Sequence, residues 1–428
     1  MRFAEALAEL DGRQERRIVP GLDRIRRLTE LLDDPHLRYP SIHVAGTNGK
    51  TTTSRLATAL ACAHGLPAGL YTSPHLRSVT ERIAVCGEEI SEEEFGEEYG
   101  RLLPYLELVD REGERVTYFE ALTALAFLWF ADRPVSLAVL EVGMGGRWDA
   151  TNVVRSEVAV ICEIGLDHPE LGSTIPEVAG EKAGIVKPGS VVVCRAQHPE
   201  AMAVVEARCR HVGAPLLLEG RDFALAERRV AVGGQSLVVR TPHATYEDLL
   251  LPLFGEHQAR NAAAAVTAFE AFLDRPLDEA AVREGMAAAA SPGRMEVVAR
   301  HPLVVLDGAH NPDGARALAA GLRESFAWER LHLVVAVSGD KDVRGVLEQV
   351  APLADRAYAA RHASPRSADP ATVAGVLGEL EVPTEAFDDV ASALEAARAS
   401  AGEQDLILVT GSLYTVADAR RAIAEGTP

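Results

Sequence analysis

The chain has 428 residues, of which 47% are hydrophobic and 25% charged. This is the composition of a globular protein large enough for two or three domains. Its formal net charge of −20 argues against a nucleic-acid or anionic-membrane partner. The amino terminus lacks a signal-peptide pattern, and the most apolar run, residues 121–131, is too short to span a bilayer. We therefore expect a cytoplasmic protein.

The five cysteines are few and scattered. Their number is odd and no C-x-x-C pair occurs among Cys62, Cys86, Cys162, Cys194 and Cys209. Small buried thiols in a reducing cytoplasm explain this pattern better than disulfides or a zinc site.

A glycine-rich segment is the first strong signal along the chain. Residues 45–52, Ala-Gly-Thr-Asn-Gly-Lys-Thr-Thr, follow the predicted strand at 42–45 and precede a helical run at 54–63. Backbone N–H groups at such a turn face one concavity that suits phosphate oxygens. Lys50 adds a positive charge, and a hydroxyl of Thr51 or Thr52 can reach Mg²⁺. An ordinary strand–turn–helix corner is the alternative, but this composition favours an ATP site.

Strand-like runs alternate with helical ones through the first two thirds of the chain. The runs read as strands are 42–45, 69–71, 137–142, 158–164 and 191–194. With helices such as 119–130 between them, they predict a mostly parallel sheet whose carboxyl ends gather ligands. Residues 216–253 predict a small antiparallel addition, and two Ala-rich helices are expected at 261–272 and 277–290.

A second α/β series begins after a hinge-like segment at 291–294. Its predicted strands are 303–306, 333–337, 356–360 and 406–410. The sequence thus predicts an α/β protein with two domains. The first, at 1–293, is P-loop ATPase-like with a mostly parallel sheet and the small antiparallel addition; the second, at 297–428, is Rossmann-like.

Polar residues follow several of the predicted strands of the first domain. Ser73 and His75 come after the second strand, although a plain turn explains them equally well. Glu141 ends the third strand, where a carboxylate has little structural purpose and favours a Mg²⁺ or water ligand. Asp167 and His168 end the fourth strand, where a structural histidine is the alternative.

Two further motifs have simple structural explanations. Residues 181–189 carry Lys182, and lysines followed by Gly and Pro are typical of a helix C-terminus. The residues alone favour that interpretation. In the second domain, Asp307 and His310 follow a strand, and Asn311-Pro312 is also typical of a turn that opens a helix.

Together these motifs resemble the Mur-ligase superfamily of ATP-dependent amide-bond synthetases, in particular its folate branch. The resemblance covers the chain from end to end and in order. Its matching segments are 46–52, 73–76, 81–83, 117–120, 141–152, 165–168, 181–187, 292–294, 307–312, 339–342 and 410–412. It implies a ligase that adds L-glutamate to a folate, and also to dihydropteroate, through an acyl phosphate made with ATP. A monomer is the family default.

The resemblance also implies roles for individual residues. Those expected at the ATP are Gly46, Thr47, Asn48, Gly49, Lys50, Thr51, Thr52, Asn261, Arg294 and Asp307. Those expected to hold two Mg²⁺ ions are Thr51, Ser73, Glu141, His168 and Lys182, the last as a carbamate. The catalytic set is Lys50, His168, Lys182 and His310, with His310 and Ser412 near the amino acid. The expected pterin-side residues are Thr117, Tyr118, Phe119, Glu120, Trp148, Asp149 and Ala150.

Two features depart from the folate pattern. Folate-branch members usually have Gly after the loop lysine, whereas this chain has Thr51, as many cell-wall Mur ligases do. The choice between Thr51 and Thr52 as metal ligand therefore stays open. Residues 18–22 lack an acid that some dihydropteroate-using members carry. The alternatives to a folate ligase are a ligase acting on a UDP-muramyl substrate and a nucleotide-binding switch without ligation.

Overall fold

The computed structural model describes residues 1–14 and 20–425. Residues 18 and 19 of the segment noted above lie outside these ranges. The chain divides into two compact units. Unit 1 comprises Met1–Glu227, Leu237–Leu250 and Arg260–Ala289, and unit 2 comprises Arg228–Ser236, Leu251–Ala259 and Ala290–Pro428. The domain bounds 1–293 and 297–428 stay a prediction.

Unit 1 contains an eight-stranded sheet in the order β4-β3-β2-β5-β1-β6-β7-β8. Its strands are β1 (Ser41–Ala45), β2 (Ala68–Tyr71), β3 (Ile83–Val85), β4 (Glu88–Glu89), β5 (Leu137–Glu141), β6 (Val158–Ile161), β7 (Val191–Cys194) and β8 (Leu216–Leu218). All neighbours from β2 to β8 are parallel, and β3 and β4 add an antiparallel edge. The mostly parallel sheet is confirmed.

Helices of unit 1 connect these strands. They are α1 (Phe3–Asp11), α2 (Asp23–Leu31), α3 (Lys50–Ala63), α4 (Glu92–Glu112), α5 (Tyr118–Asp132), α6 (Ile175–Lys182), α7 (Pro199–Val212), α8 (Glu256–Leu273), whose first turn belongs to unit 2, and α9 (Glu279–Ala287). Helix α5 is the most deeply buried, because residues 120–130 are all shielded from solvent. Its apolar sequence on every face is typical of a core helix.

A separate three-stranded sheet has the order β11-β10-β9. Its strands are β9 (Ala224–Ala231), β10 (Gly234–Arg240) and β11 (Thr245–Leu251). The predicted addition at 216–253 was wrong at its start, because β8 instead pairs in parallel with β7 in the large sheet. The short run of three leucines fits there, since it extends the parallel sheet by one edge strand.

Unit 2 contains a six-stranded sheet in the order β12-β13-β17-β14-β15-β16. Its strands are β12 (Glu296–Arg300), β13 (Leu303–Leu306), β14 (Leu331–Val335), β15 (Arg356–Ala359), β16 (Thr384–Ala386) and β17 (Leu406–Thr410). Its helices are α10 (Pro312–Ser325), α11 (Val343–Val350), α12 (Pro370–Glu379), α13 (Val390–Ser400) and α14 (Leu413–Glu425). Only β12 is antiparallel to its neighbour.

Two predicted strands end two or three residues earlier than their apolar runs suggested, and those predicted at 137–142 and 356–360 end one residue earlier. The run at 158–164 leaves the ladder after Ile161, and the carbonyl of Glu163 instead accepts the N–H groups of Thr47 and Asn48. The run at 333–337 pairs only to Val335, because the Ala336 carbonyl accepts the Thr415 hydroxyl at 2.7 Å. In both cases the carbonyl beyond the ladder contacts a loop or helix start.

The expectation that all cysteines are free thiols was wrong. Cys62, near the end of α3, forms a disulfide with Cys86, which follows β3. Helix α3 leads into β2, and the antiparallel pairing of β3 with β2 brings Cys86 back to the end of α3. The two Cα atoms are 5.6 Å apart, within the usual range for this bond. Their 24-residue separation gave no sign of this proximity. Cys162, Cys194 and Cys209 are free and buried.

Across the described ranges, every helix is too short or too polar to cross a membrane.

Candidate active site

The glycine-rich loop lies between β1 and α3, and two of its glycines are required by geometry. Gly46 has a φ of +157°, and a Cβ there would stand 2.6 Å from the Cβ of Cys162. Gly49 has a φ of +90°, and a Cβ there would stand 2.4 Å from the Asn261 side chain. Any larger residue would push the loop away from Cys162 or Asn261, or strain its backbone.

The loop is held in place from the end of β6. The N–H of Thr47 donates to the Glu163 carbonyl at 2.7 Å. The Thr47 hydroxyl donates to the Gly165 carbonyl at 2.8 Å and accepts the N–H of Gly165 at 3.0 Å. These contacts leave the first turn of α3, which begins at Lys50, open for a phosphate group.

Thr51 and Glu141 meet at the carboxyl edge of the sheet. The Thr51 hydroxyl donates to Oε1 of Glu141 at 2.8 Å, and the N–H of Ser73 donates to Oε2 at 3.3 Å. Parallel pairing explains this proximity, since Val44 of β1 is in register with Glu141 of β5. Thr52, the other candidate hydroxyl, is buried in α3 with 2% exposure.

This donor set fits Mg²⁺ on chemical grounds. In residues 1–14 and 20–425, no group of three or more His, Cys, Asp or Glu side chains could hold a metal by itself. A hydroxyl and a single carboxylate instead suit an ion that completes its shell with phosphate oxygens and water. Thr51, Ser73 and Glu141 would supply that partial shell.

Two lysines converge on one carbonyl oxygen of the loop. Lys50 Nζ and Lys182 Nζ each donate to the Gly46 carbonyl at 2.9 Å. Lys182 is the last residue of α6 and is 3% exposed. Burial, followed by repulsion from Lys50, lowers the pKa of Lys182 to about 7. A large fraction of Lys182 is therefore a neutral, nucleophilic amine at neutral pH.

His168 lies on the segment between β6 and α6. Its Nε2 is 3.4 Å from Oδ2 of Asp167, and its side chain is 30% exposed. Asp167 in turn favours the charged form of Lys182 electrostatically. The predicted acid–imidazole pair therefore lies beside the lysine cluster, on the same edge of the sheet.

Asn261 and Arg195 form a buried polar pair under the loop. Arg195 Nη1 donates to Oδ1 of Asn261 at 2.7 Å, and both residues are at most 3% exposed. Sequence reasoning named Asn261 but missed Arg195. A basic residue directly after the apolar strand β7 was the available signal, because strand ends gather ligand-side groups in parallel sheets.

His75 and Arg82 form a second pair that the sequence did not reveal. Arg82 Nε donates to Nδ1 of His75 at 2.9 Å, and the guanidinium lies 5.6 Å from the centre of the Tyr118 ring. Burial, followed by the Arg82 charge, lowers the pKa of His75 to about 4. His75 is therefore neutral and accepts from Arg82, which orients the cation over Tyr118.

The predicted pterin-side residues of α5 have structural duties. Thr117 is the N-cap, and its hydroxyl accepts the N–H of Glu120 at 3.2 Å while Glu120 Oε2 accepts the N–H of Thr117 at 2.9 Å. This is a capping box. Glu120 also accepts Arg24 Nε at 2.9 Å. The ring of Phe119 packs on Gly143, where a Cβ would stand 2.5 Å away.

The second pterin-side segment divides between surface and interior. Trp148 is 50% exposed, whereas Asp149 and Ala150 are 7% and 5% exposed. Oδ2 of Asp149 accepts the N–H of Met144 at 2.9 Å, and Oδ1 accepts the Thr151 hydroxyl at 2.6 Å. Asp149 thus holds the loop that follows Glu141, and Trp148 alone of the three presents a ring to solvent.

In unit 2, Arg294, Asp307 and His310 lie at the carboxyl end of β13. Asp307 accepts the N–H groups of Met295 and Ala309, both at 2.8 Å. Burial raises the pKa of Asp307, and the nearby charge of Arg294 opposes that shift. His310 Nδ1 donates to the Gly308 carbonyl at 2.8 Å, because a carbonyl can only accept. This hydrogen bond fixes the orientation of the His310 ring.

Ser412 follows the neighbouring strand β17 in the same sheet. It is 6% exposed, and its hydroxyl accepts the N–H of Tyr414 at 3.2 Å. Parallel pairing of β13 with β17 brings Ser412 to the same edge as Asp307. The structure thus groups the predicted residues of each unit at one edge of its own sheet.

Comparison with known proteins shows which family the chain matches. The Mur ligase middle domain matches residues 44–269, and the Mur ligase glutamate ligase domain matches residues 293–413. Mycobacterium tuberculosis dihydrofolate synthase/folylpolyglutamate synthase is 42% identical over 95% of this chain and 90% of its own length.

Solved structures are similar over the whole chain. Mycobacterium tuberculosis folylpolyglutamate synthase complexed with ADP matches with a TM-score of 0.95 at 41% identity, covering 100% of this chain and 98% of the other. Escherichia coli FolC in complex with DHPP and ADP matches with a TM-score of 0.89 at 33% identity, covering 99% and 98%.

Proposed function

Because the chain belongs to the folate branch of the Mur ligase family, we propose that it is an ATP-dependent ligase that joins L-glutamate to the carboxylate of a folate, and also to dihydropteroate. Relatives named for both activities are 34–42% identical over nearly the full chain. The observation that carries the proposal is the pairing of Thr51 with Glu141 beside a glycine loop that Lys50 and Lys182 both contact.

A carboxylate must be activated before an amine can attack it, because its oxide is a poor leaving group. We assign that activation to transfer of the γ-phosphoryl of ATP, which gives an acyl phosphate. The glutamate amine then attacks the acyl carbon, and phosphate leaves through a tetrahedral intermediate. All the reactants are anionic, so positioning and charge neutralisation supply most of the rate increase. Lys50 and the N–H groups of the first turn of α3 are placed for this at the loop.

Two Mg²⁺ ions and a modified lysine belong to the proposal. Mg²⁺ would neutralise charge on the transferred phosphoryl group. Thr51, Ser73 and Glu141 would hold one ion, and His168 with Lys182 the other. A neutral, buried Lys182 amine would react with CO₂ and release a proton to give a carbamate, whose oxygens are the ligands Mg²⁺ prefers. The carbamate would place a negative charge beside the Lys50 cation, where the protonated amine would repel it.

The amino acid is assigned to unit 2. The hydrogen bond from His310 to the Gly308 carbonyl fixes the ring, and His310 is assigned as the general base for the glutamate amine. Ser412, on the same edge, supplies a hydroxyl to a substrate carboxylate. Arg294 and Asp307 are assigned to the nucleotide.

The test is phosphate release by the full chain with ATP, Mg²⁺ and L-glutamate. Dihydropteroate, tetrahydrofolate and a UDP-muramyl peptide are offered in separate reactions. We expect glutamate-dependent release with dihydropteroate and with tetrahydrofolate. Release with tetrahydrofolate alone would restrict the proposal to polyglutamate synthesis. Release only with the muramyl substrate, or release independent of an amino acid, would overturn it.

A further inference from the structure

Arg82 is a nearly buried cation at the carboxyl edge of the large sheet. It directly precedes β3, which runs antiparallel to β2, and its carbonyl accepts the N–H of Thr72 at 2.9 Å where β2 ends. The residue is 9% exposed. Taking a guanidinium out of water is costly unless an acid or another acceptor compensates its charge. The partners of this cation therefore indicate whether it serves the fold or a ligand.

In the part of the chain that the structure describes, only one nitrogen of the Arg82 guanidinium has a hydrogen-bond partner. Nε donates to Nδ1 of His75 at 2.9 Å, and the guanidinium carbon lies 5.6 Å from the centre of the Tyr118 ring. Nη1 and Nη2 contact no acceptor and no carboxylate in this part of the chain. A guanidinium carries five N–H groups, so those of Nη1 and Nη2 are available to a ligand.

The adjacent acid, Glu81, is engaged by other donors. Its Oε1 accepts the N–H of Arg77 at 2.8 Å and Nε of Arg77 at 2.9 Å, and its Oε2 accepts the N–H of Leu76 at 2.9 Å. His75 supplies no negative charge either, because its ring is neutral. Among the described residues, Arg82 is therefore a nearly buried cation without a counter-charge, which points to an anionic ligand.

The strand order places Arg82 beyond Glu141 as seen from the glycine loop. Strand β1, which leads into the loop, is followed in the sheet by β5 with Glu141, then by β2 and β3. With about 4.8 Å between neighbouring strands, the Arg82 backbone lies about 14 Å from the loop and about 10 Å from Glu141. The ATP phosphates belong at the loop. An anion between Glu141 and Arg82 is therefore the other reactant, the carboxylate that the phosphoryl group is transferred to.

Aromatic rings lie beside both Arg82 and Glu141. The Tyr118 ring lies under the guanidinium, and the Phe119 ring packs on Gly143, two residues after Glu141. Such rings suit a flat aromatic group, and the aminobenzoate of dihydropteroate carries its carboxylate on one. The surroundings of the cation therefore fit an aromatic acid better than a phosphate.

We propose that Arg82 binds the substrate carboxylate that receives the phosphoryl group, with Nη1 and Nη2 donating to its two oxygens. The inference rests on the proposed ligase reaction and deepens it, because the acyl-phosphate step needs a protein group that holds this carboxylate. Arg82 offsets its charge as it meets the anionic ATP phosphates. The contacts with His75 and Tyr118 keep the guanidinium in place before the substrate binds.

Calorimetric titration of the full chain with dihydropteroate, in the presence of ADP and Mg²⁺, tests the assignment. We expect the Kd for dihydropteroate to rise at least about tenfold in Arg82→Met, as loss of charge-assisted hydrogen bonds predicts. Arg82→Lys keeps the positive charge and should weaken binding less. Arg77→Met is the matched control, because Arg77 is an exposed arginine already paired with Glu81 and Glu89. It should bind dihydropteroate as the unaltered protein does.

Thermal unfolding separates this role from a structural one. Because Arg82 has no acid partner among the described residues, Arg82→Met should leave the Tm unchanged or raise it. An unchanged Kd for dihydropteroate in Arg82→Met would overturn the proposal, as would a lower Tm with binding that Arg82→Lys does not improve. An equal rise in the Kd for ADP would contradict the carboxylate assignment. So would absence of dihydropteroate binding to the unaltered protein. Phosphate release reports the ligase reaction separately, so either result can fail alone.

Discussion

The carboxyl edges of the two large sheets hold their polar residues in different ways. In unit 1, side chains contact each other or share one acceptor: Thr51 meets Glu141, and two lysines meet on the Gly46 carbonyl. In unit 2, Asp307 and His310 are held by main-chain groups of Met295, Ala309 and Gly308. The first edge is a set of coupled charges, and the second is a set of separately oriented groups.

This difference predicts how each edge responds to mutation. Removing one member of a coupled charge set changes the protonation and placement of the others, so effects are large and non-additive. Removing a side chain that the backbone orients affects chiefly its own ligand. Substitutions in unit 1 should therefore alter nucleotide chemistry as a whole, and substitutions in unit 2 should alter the use of glutamate selectively.

The largest effect is expected from Lys182→Ala. Loss of the proposed carbamate removes a metal ligand, and we expect kcat to fall at least about 1000-fold. Bicarbonate or acetate should restore part of the activity, because a small carboxylate can occupy the emptied space. Measured phosphate release with and without each anion checks this. Intact activity in Lys182→Ala would contradict the carbamate.

Lys187→Met is the matched control for that experiment. Lys187 is a half-buried lysine, with a pKa lowered by burial to about 8, and its Nζ donates to the carbonyls of Asn152 and Val154. We expect this variant to be less stable than the unaltered protein but to transfer the phosphoryl group at a similar rate. If acetate also increased the activity of Lys187→Met, its effect on Lys182→Ala would not be specific to the Lys182 position.

Thr51→Val should have the next largest effect. Valine has the shape of threonine but no hydroxyl, so Glu141 loses its 2.8 Å contact and the proposed ion loses a ligand. We expect kcat to fall about 100-fold and the Mg²⁺ concentration for half-maximal activity to rise. Thr51→Ser keeps the hydroxyl and should stay near the activity of the unaltered protein. If both variants behave alike, the hydroxyl is not the ligand.

The sequence predicted the first edge well, because its parts follow parallel strands. Glu141 and the glycine loop each come directly after an apolar run, and parallel strands bring such ends together. The residues alone did not predict a chemical role for Lys182, because its surroundings are typical of a helix terminus. That assignment was correct for the backbone, since Lys182 ends α6. The direction of its Nζ depends on packing of α6 against the loop, which no local pattern encodes.

Long-range pairs account for the other failures. Arg195 with Asn261, and Cys62 with Cys86, are joined by tertiary structure across 66 and 24 residues. The short strand β12 was not predicted, and its residues are only half-buried or exposed. In contrast β17, which is buried throughout, was predicted to the residue. Burial on both faces leaves a continuous apolar run that is easy to recognise in the sequence.

His310→Ala tests the second edge. Because the ring is held by the Gly308 carbonyl of its own unit and is assigned to glutamate, we expect a selective loss. The value of kcat/KM for L-glutamate should fall about 100-fold, at the lower end of the range for loss of a general base. The Kd for ADP, measured by calorimetry, should not change. A parallel loss of ADP affinity would contradict the separation of roles between the two edges.

Thr117→Ala should have the smallest effect, and it decides between two roles for one residue. The folate resemblance placed Thr117 at the pterin, whereas its hydroxyl and N–H both contact Glu120 in the capping box of α5. Loss of that cap costs about 1 kcal/mol of stability, or about 2 °C or less in Tm for a chain of this size. We expect the KM for dihydropteroate to stay constant, because alanine leaves the backbone of Tyr118 and Phe119 in place. Thr117→Ser retains the cap and is the control for stability. If the KM for dihydropteroate rises in Thr117→Ala but not in Thr117→Ser, and the Tm is unchanged, the Thr117 hydroxyl contacts the substrate.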